Sequence, residues 1–148
     1  MKTLILMRHA QASFSAEIDG ERALTPTGKE QAEHTGLILK QAGFTPQIVL
    51  CSPLLRARQS AQLAAHAWNL SPLDARELDG RLSAAGLVDF ALAQLKKQDA
   101  VMLVGHNPNV SLAAGILSGS FISFRPGDAM VFDLTHPDEP KRLFQELS

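Results

Sequence analysis

Residues 2–9 read Lys2-Thr3-Leu4-Ile5-Leu6-Met7-Arg8-His9, an apolar run that stops abruptly at two basic side chains. The run has the length of a strand, and its lack of polar alternation is that of a strand covered on both faces. The same pattern returns at residues 47–51, which end at Cys51, and at residues 100–104, which lead into Gly105-His106. Helical stretches separate these runs. Thr25-Pro26-Thr27 opens a helix, with Glu30 three residues after Thr27 as in a capping box, and Gly43 ends it. Ser52 and Pro53 read as N-cap and first residue of a second helix reaching about Asn69. Residues 74–78 are expected to form a short strand, 83–97 an amphipathic helix, and the segment after Pro108 a short helix. Residues 129–134 and 142–146 follow as late strands, expected at a sheet edge and running antiparallel. Alternating strands and helices predict an α/β three-layer sandwich, with a largely parallel central sheet flanked by helices. One domain spanning residues 1–148 is expected.

The whole-chain properties narrow the class. With 45% hydrophobic and 20% charged residues, the chain can build a core without disulfides or metals. Its 14 basic and 15 acidic residues nearly cancel, which argues against nucleic acid or an anionic membrane as partner. The single cysteine, Cys51, cannot form an internal disulfide, which suits a reducing compartment. No apolar run approaches a membrane span, and the N-terminal run lacks the features of a signal peptide. A cytoplasmic monomer is expected.

In a largely parallel sheet, ligands sit beyond the carboxyl ends of the strands. Three basic groups fall there: Arg8-His9 after the first strand, Arg56 in the first turn after the second, and His106 after the strand at 100–104. The types suit a phosphoryl group, which carries about two negative charges and several acceptor oxygens. Arginine forks match those oxygens. A neutral imidazole can attack phosphorus and split one displacement into two. Neighbouring arginines oppose protonation of His9, and His106 can donate to the charge on the equatorial oxygens.

Four segments then resemble one family, the phosphoglycerate-mutase-like histidine phosphatase superfamily. Leu6-Met7-Arg8-His9-Ala10 resembles its RHG-type signature, and Arg22 through Gly28 with Gln31-Ala32 resembles its R-x-L-T-x-x-G segment. Ser52-Pro53-Leu54-Leu55-Arg56-Ala57 is similar to its S-P-x-x-R-A segment, and Val104-Gly105-His106-Asn107-Pro108 to its second-histidine segment. The matches run in family order from about residue 3 to residue 112, and the short length with Ala10 is most similar to SixA-type phosphohistidine phosphatases. The resemblance implies His9 as nucleophile, Arg8, Arg56 and His106 around the phosphate, and Arg22 nearby. It implies phosphatase activity toward phosphohistidine, with small-metabolite phosphatase activity as the alternative.

Two departures stand out. Ala10 replaces the usual glycine. Many members also place a glutamate acid after an inserted segment, whereas the stretch between Arg56 and Glu77 leaves no room for a large cap. Glu77 is the best positional candidate for that acid and Asp19 the weaker one. Gln11, Ser52 and Asn107 are candidate substrate contacts, although Ser52 reads first as a helix cap and only second as a phosphate contact, and Asn107 either orients a ligand or caps the helix at Pro108. Arg58, two positions from Arg56, is expected on the surface. His34, His66 and His136 show no metal spacing, so no metal or other cofactor is expected. Cys51 reads as a buried, inert thiol, one residue too close to Arg56 for a cysteine-based phosphatase loop. A phosphate-binding regulator without turnover would need the arginines but not the two histidines, and a mutase would need a lid.

Overall fold

The computed structural model describes residues 1–147. Its strands are β1 (Thr3–Arg8), β2 (Ile48–Cys51), β3 (Leu73–Asp74), β4 (Ala100–Gly105), β5 (Ala129–Asp133) and β6 (Lys141–Glu146). They form one sheet in the order β3-β2-β4-β1-β5-β6. The first four are parallel, while β5 runs antiparallel to β1 and β6 antiparallel to β5. Of the two late strands only β6 is an edge; β5 lies inside, and its residues 129–132 are buried.

Four helices cover the faces: α1 (Pro26–Gln41), α2 (Leu55–Ala65), α3 (Ala84–Leu95) and α4 (Asn109–Ser118). Side chains alternate across a strand, so each apolar run feeds two cores. Leu4, Leu6, Leu103 and Phe132 pack with Leu87 of α3 and Leu117 of α4. Ile5, Met7, Val49 and Val104 pack on the opposite face with Leu39 of α1 and Ala61 of α2. This is the expected three-layer sandwich. Truncating one of these fully buried leucines to alanine costs about 2–5 kcal/mol. Helices α1 and α2 approach closely because their contact is made of small residues. A Cβ on Gly36 would run into the Ala64 carbonyl.

Three local boundaries differ from the sequence reading. Helix α1 is capped by Thr25, not Thr27: the Thr25 hydroxyl accepts from Gly28 N at 3.0 Å and Pro26 is the first helical residue. Thr25 has the extended backbone that a cap requires, and Glu30 then lies two residues beyond the position a capping box uses. Helix α2 begins at Leu55 rather than Pro53: Ser52 Oγ accepts from Leu54 N at 3.1 Å and also meets His106, but Leu54 keeps an extended backbone and takes the cap position without a side-chain bond of its own. The predicted strand at 74–78 shrinks to Leu73–Asp74, followed by a single 3-10 turn, Arg76–Leu78.

Candidate active site

The register of β1 against β4 places Arg8 opposite Gly105, so His9 and His106 are the first residues beyond two adjacent parallel strands. His9 N donates to the Gly105 carbonyl at 2.9 Å, and the two imidazole centroids lie 5.1 Å apart. The end of β2 is tied alongside by Ser52 N, which donates to the Val104 carbonyl at 3.1 Å.

Neighbouring elements brace this junction. The N–H of Gly127 is shared between the carbonyls of Arg8 and His9, and its carbonyl accepts from the Thr35 hydroxyl at 2.7 Å. Gly127 has a φ of +86°, a left-handed conformation that glycine adopts without penalty. Ala10 N donates to Ser60 Oγ at 2.8 Å, and Ser60 Oγ donates to the Arg56 carbonyl at 2.7 Å. Ala10 itself takes an ordinary backbone conformation and is fully buried, so the position after His9 does not require glycine.

Arg8, His9, Arg56 and His106 line an open cleft of about 430 Å³, with Arg22 and Phe14 at its side. The Arg8 guanidinium donates through Nη1 to the Phe124 carbonyl at 2.9 Å. Arg56 donates to the Asp19 carbonyl at 2.9 Å and to its carboxylate at 3.2 Å. Arg22 donates from Nε to the Ser13 carbonyl at 2.8 Å, reaches the Asp19 carboxylate at 3.3 Å, and stacks 4.3 Å over the Phe14 ring. The buried Nε atoms of both Arg8 and Arg56 have no hydrogen-bond partner among the described residues. These guanidiniums are held in place but only partly neutralised, the arrangement an anion site requires.

The His9 Nδ1 lies 2.7 Å from the Ala10 carbonyl. A carbonyl only accepts, so Nδ1 carries the proton and Nε2 keeps a free lone pair. Burial lowers the His9 pKa to about 4, with His106, Arg56 and Arg8 pushing the same way against the hydrogen bond to Ala10. Burial, followed by the charge of Arg56, lowers His106 to about 4 as well. Both rings are therefore neutral at neutral pH. Two carboxylates also line the cleft, Asp19 and Asp79. Hydrogen bonding to Arg22 holds the Asp19 pKa below its ordinary value, with Arg56 adding to the effect. Hydrogen bonding to Arg81 does the same for Asp79.

The structure thus brings together Arg8, His9, Arg22, Arg56 and His106. It does not bring Glu77 into the cleft: Glu77 is exposed on the 3-10 turn and borders a smaller adjoining cavity with Leu78, Gly80 and His106. Gln11 is exposed outside the cleft, its Oε1 accepting from the Thr25 hydroxyl at 2.7 Å. Ser52 is fully buried, which removes it as a direct substrate contact; its Oγ lies 2.7 Å from His106 Nε2. Asn107 lines the cleft, but its side chain is committed to structure. Its Oδ1 accepts from the Ser111 hydroxyl at 2.7 Å and its Nδ2 donates to the Phe124 carbonyl at 3.0 Å. Sequence reasoning missed Asp79 and Phe14. Asp79-Gly80 is a turn pair just past a strand end, a signal that could have found the first; the sequence has no comparable signal for Phe14. Among the described residues no three histidine, cysteine, aspartate or glutamate side chains converge as a metal site.

Comparison with known proteins gives these features a family context. Residues 4–83 match the family model described as the histidine phosphatase superfamily, branch 1. An uncharacterized protein of Picosynechococcus is 35% identical over 114 residues, covering 72% of this chain and 67% of that protein. The 2,3-bisphosphoglycerate-dependent phosphoglycerate mutase of Thermobifida fusca is 37% identical over 70 residues, covering 43% of this chain and only 28% of the mutase. Among solved structures, the protein histidine phosphatase SixA complexed with tungstate superposes with a TM-score of 0.87 at 22% identity, covering 98% of this chain and 96% of that one. A phosphoserine phosphatase from Entamoeba histolytica in complex with phosphoserine gives 0.75 at 16% identity, with 98% and 96% covered. At such identities the superpositions establish a shared fold.

Proposed function

The chain belongs to the histidine phosphatase superfamily, and from that premise we propose that it is a phosphatase acting through His9, with protein-borne phosphohistidine as substrate. His9 Nε2 attacks phosphorus as the bond to the leaving group breaks, giving phosphohistidine at residue 9. Water then attacks the same phosphorus, the new P–N bond breaks and inorganic phosphate leaves. Arg8 and Arg56 hold the equatorial oxygens, Arg22 guards the mouth, and His106 donates a hydrogen bond to the developing charge. The guanidiniums supply the positive charge, so the reaction proceeds without a metal. Cytoplasmic residence and a monomeric state belong to the same reading. No described helix is long and apolar enough to cross a membrane.

The observation that carries the substrate class is the pairing of the cleft carboxylates. Asp19 is held by Arg22 and Arg56, and Asp79 by Arg81 at 2.8 and 2.6 Å. Both stay ionised at neutral pH, so neither stores a proton for a departing alkoxide. An alkyl ester depends on such an acid. Phosphohistidine does not, because its imidazole leaves readily once protonated and can take that proton from solvent in an open cleft.

Rates on three substrate classes test this reading. Phosphohistidine on a carrier protein is expected to turn over fastest, p-nitrophenyl phosphate more slowly and alkyl phosphates slowest. His9→Ala should abolish all three, and the wild type should trap an acid-labile phosphoenzyme at His9. Fast hydrolysis of a sugar phosphate, with strong dependence on Glu77 or Asp79, would favour a metabolite phosphatase. Undiminished turnover by His9→Ala would end the mechanism.

A further inference from the structure

The two cleft histidines are anchored through opposite ring nitrogens. His9 is fixed by Nδ1 on the Ala10 carbonyl, whereas His106 is fixed by Nε2 at 2.7 Å from Ser52 Oγ. Ser52 is fully buried, so its hydroxyl has to be satisfied inside the protein. One lone pair is already used, because Leu54 N donates to Ser52 Oγ at 3.1 Å. The hydroxyl hydrogen also needs an acceptor, and among the described residues His106 Nε2 is the one that pairs with it. Were Nε2 to carry the proton instead, two N–H groups would converge on Ser52 Oγ and the hydroxyl hydrogen would be left buried without a partner.

We infer that Ser52 is a positioning residue that selects the tautomer of His106: its hydroxyl donates to Nε2, leaving a proton on Nδ1 for the phosphoryl oxygen. One backbone carbonyl and one serine hydroxyl thus turn chemically identical side chains to opposite tasks. His9 offers a lone pair to phosphorus, and His106 offers a hydrogen to oxygen. With the other tautomer, His106 would present a second lone pair to an anion and repel it. The same Leu54 N–H that opens α2 orients the serine, so the start of the helix carrying Arg56 is coupled to the state of His106.

The tautomer can be read on the substrate-free protein, without reference to turnover. In ring nitrogen NMR spectra at pH 7, His106 should show a protonated Nδ1 and an unprotonated Nε2. A protonated Nε2 would overturn the inference. Ser52→Ala should replace the single tautomer by a mixture and lower kcat by about ten- to a hundredfold, the scale of removing a histidine's orienting bond in metal sites, with KM changed far less. His9, anchored independently, should keep its own tautomer in the variant, which also reports that the site is folded. Retention of one Nδ1–H tautomer and full kcat in folded Ser52→Ala would equally overturn it. If that variant fails to fold, the wild-type spectrum decides alone. The kinetic effect rests on the phosphatase reading and the spectrum does not, so a correct tautomer without phosphatase activity would remove only that reading.

Discussion

The carboxylate of Asp19 rests on Arg56, with Oδ2 3.2 Å from Nη2, while the backbone carbonyl of Asp19 accepts from Nη1 at 2.9 Å. The other carboxylate oxygen reaches Arg22 at 3.3 Å. An exposed acidic side chain thus engages two guanidiniums that an incoming phosphate would seek.

Asp19→Asn removes that competing charge but keeps the backbone contact to Arg56. Inorganic phosphate and vanadate should then bind about two- to fivefold more tightly, the scale of an exposed ion pair, measured by calorimetry at fixed ionic strength. Weaker binding would mean that the side chain organises Arg56 instead of competing for it.

The phase of α2 separates two nearby arginines. Arg56 faces the cleft, whereas Arg58 is exposed and pairs with Asp74 at 3.3 Å. Arg56→Ala should lower kcat/KM by about 100- to 1,000-fold, or about 2.7–4 kcal/mol of transition-state stabilisation, as for loss of one preorganised donor, while Arg58→Ala should change it little. Steady-state kinetics on one substrate suffice. A crippled Arg58→Ala would place the phosphate on the other side of the helix.

The two buried histidines make stability depend on pH. Their folded pKa values of about 4 lie below the ordinary value of 6.5, so the unfolded chain binds protons that the folded one refuses. Their contribution is fully present above pH 6.5 and is lost as pH falls toward 4. It amounts to at most about 3 kcal/mol for each histidine. Urea unfolding at pH 7 and pH 4.5 should show the loss, and a His9→Asn/His106→Asn double variant should show a flatter profile. Equal slopes for the two proteins would place the proton uptake elsewhere.

Close backbone contacts give a structural prediction. A Cβ on Gly28 would collide with the Gln11 backbone, just past His9, and one on Gly36 with the Ala64 carbonyl. Both alanine variants should lose about 1–3 kcal/mol or more despite alanine's better helix propensity. Gly28→Ala should also lose activity out of proportion to its stability, since it displaces the segment carrying His9. Thermal unfolding and turnover on the same samples separate the two effects.

Much of this was legible in the sequence, and the parts that were not share a cause. Strand runs ending at Arg8, Cys51 and Gly105 located the site because apolar content and chain direction are local properties. The start of α2 differs from the reading because Ser52-Pro53 carries a local capping signal, and Ser52 Oγ does take the Leu54 N–H, but its second partner, His106, lies far along the chain and the helix starts two residues later. Asp79 escapes the sequence reading because an extended segment at 74–78 points to Glu77 and leaves Asp79 beyond its end. The 3-10 turn at Arg76–Leu78 changes the facing of successive residues and brings Asp79 to the cleft. The antiparallel β5 is interior because β6 covers it, a pairing that composition does not reveal.

The pairing of Arg8 with Gly105 has a consequence for how the chain matures. His9 and His106 follow strands that meet only after a long loop closes, and parallel pairing of this kind is slow to form. A slip of one residue between β1 and β4 would exchange the two cores and separate the imidazoles. Turnover should therefore emerge late and abruptly during refolding, making recovered activity a register-sensitive clock for the last native contacts rather than a measure of collapse.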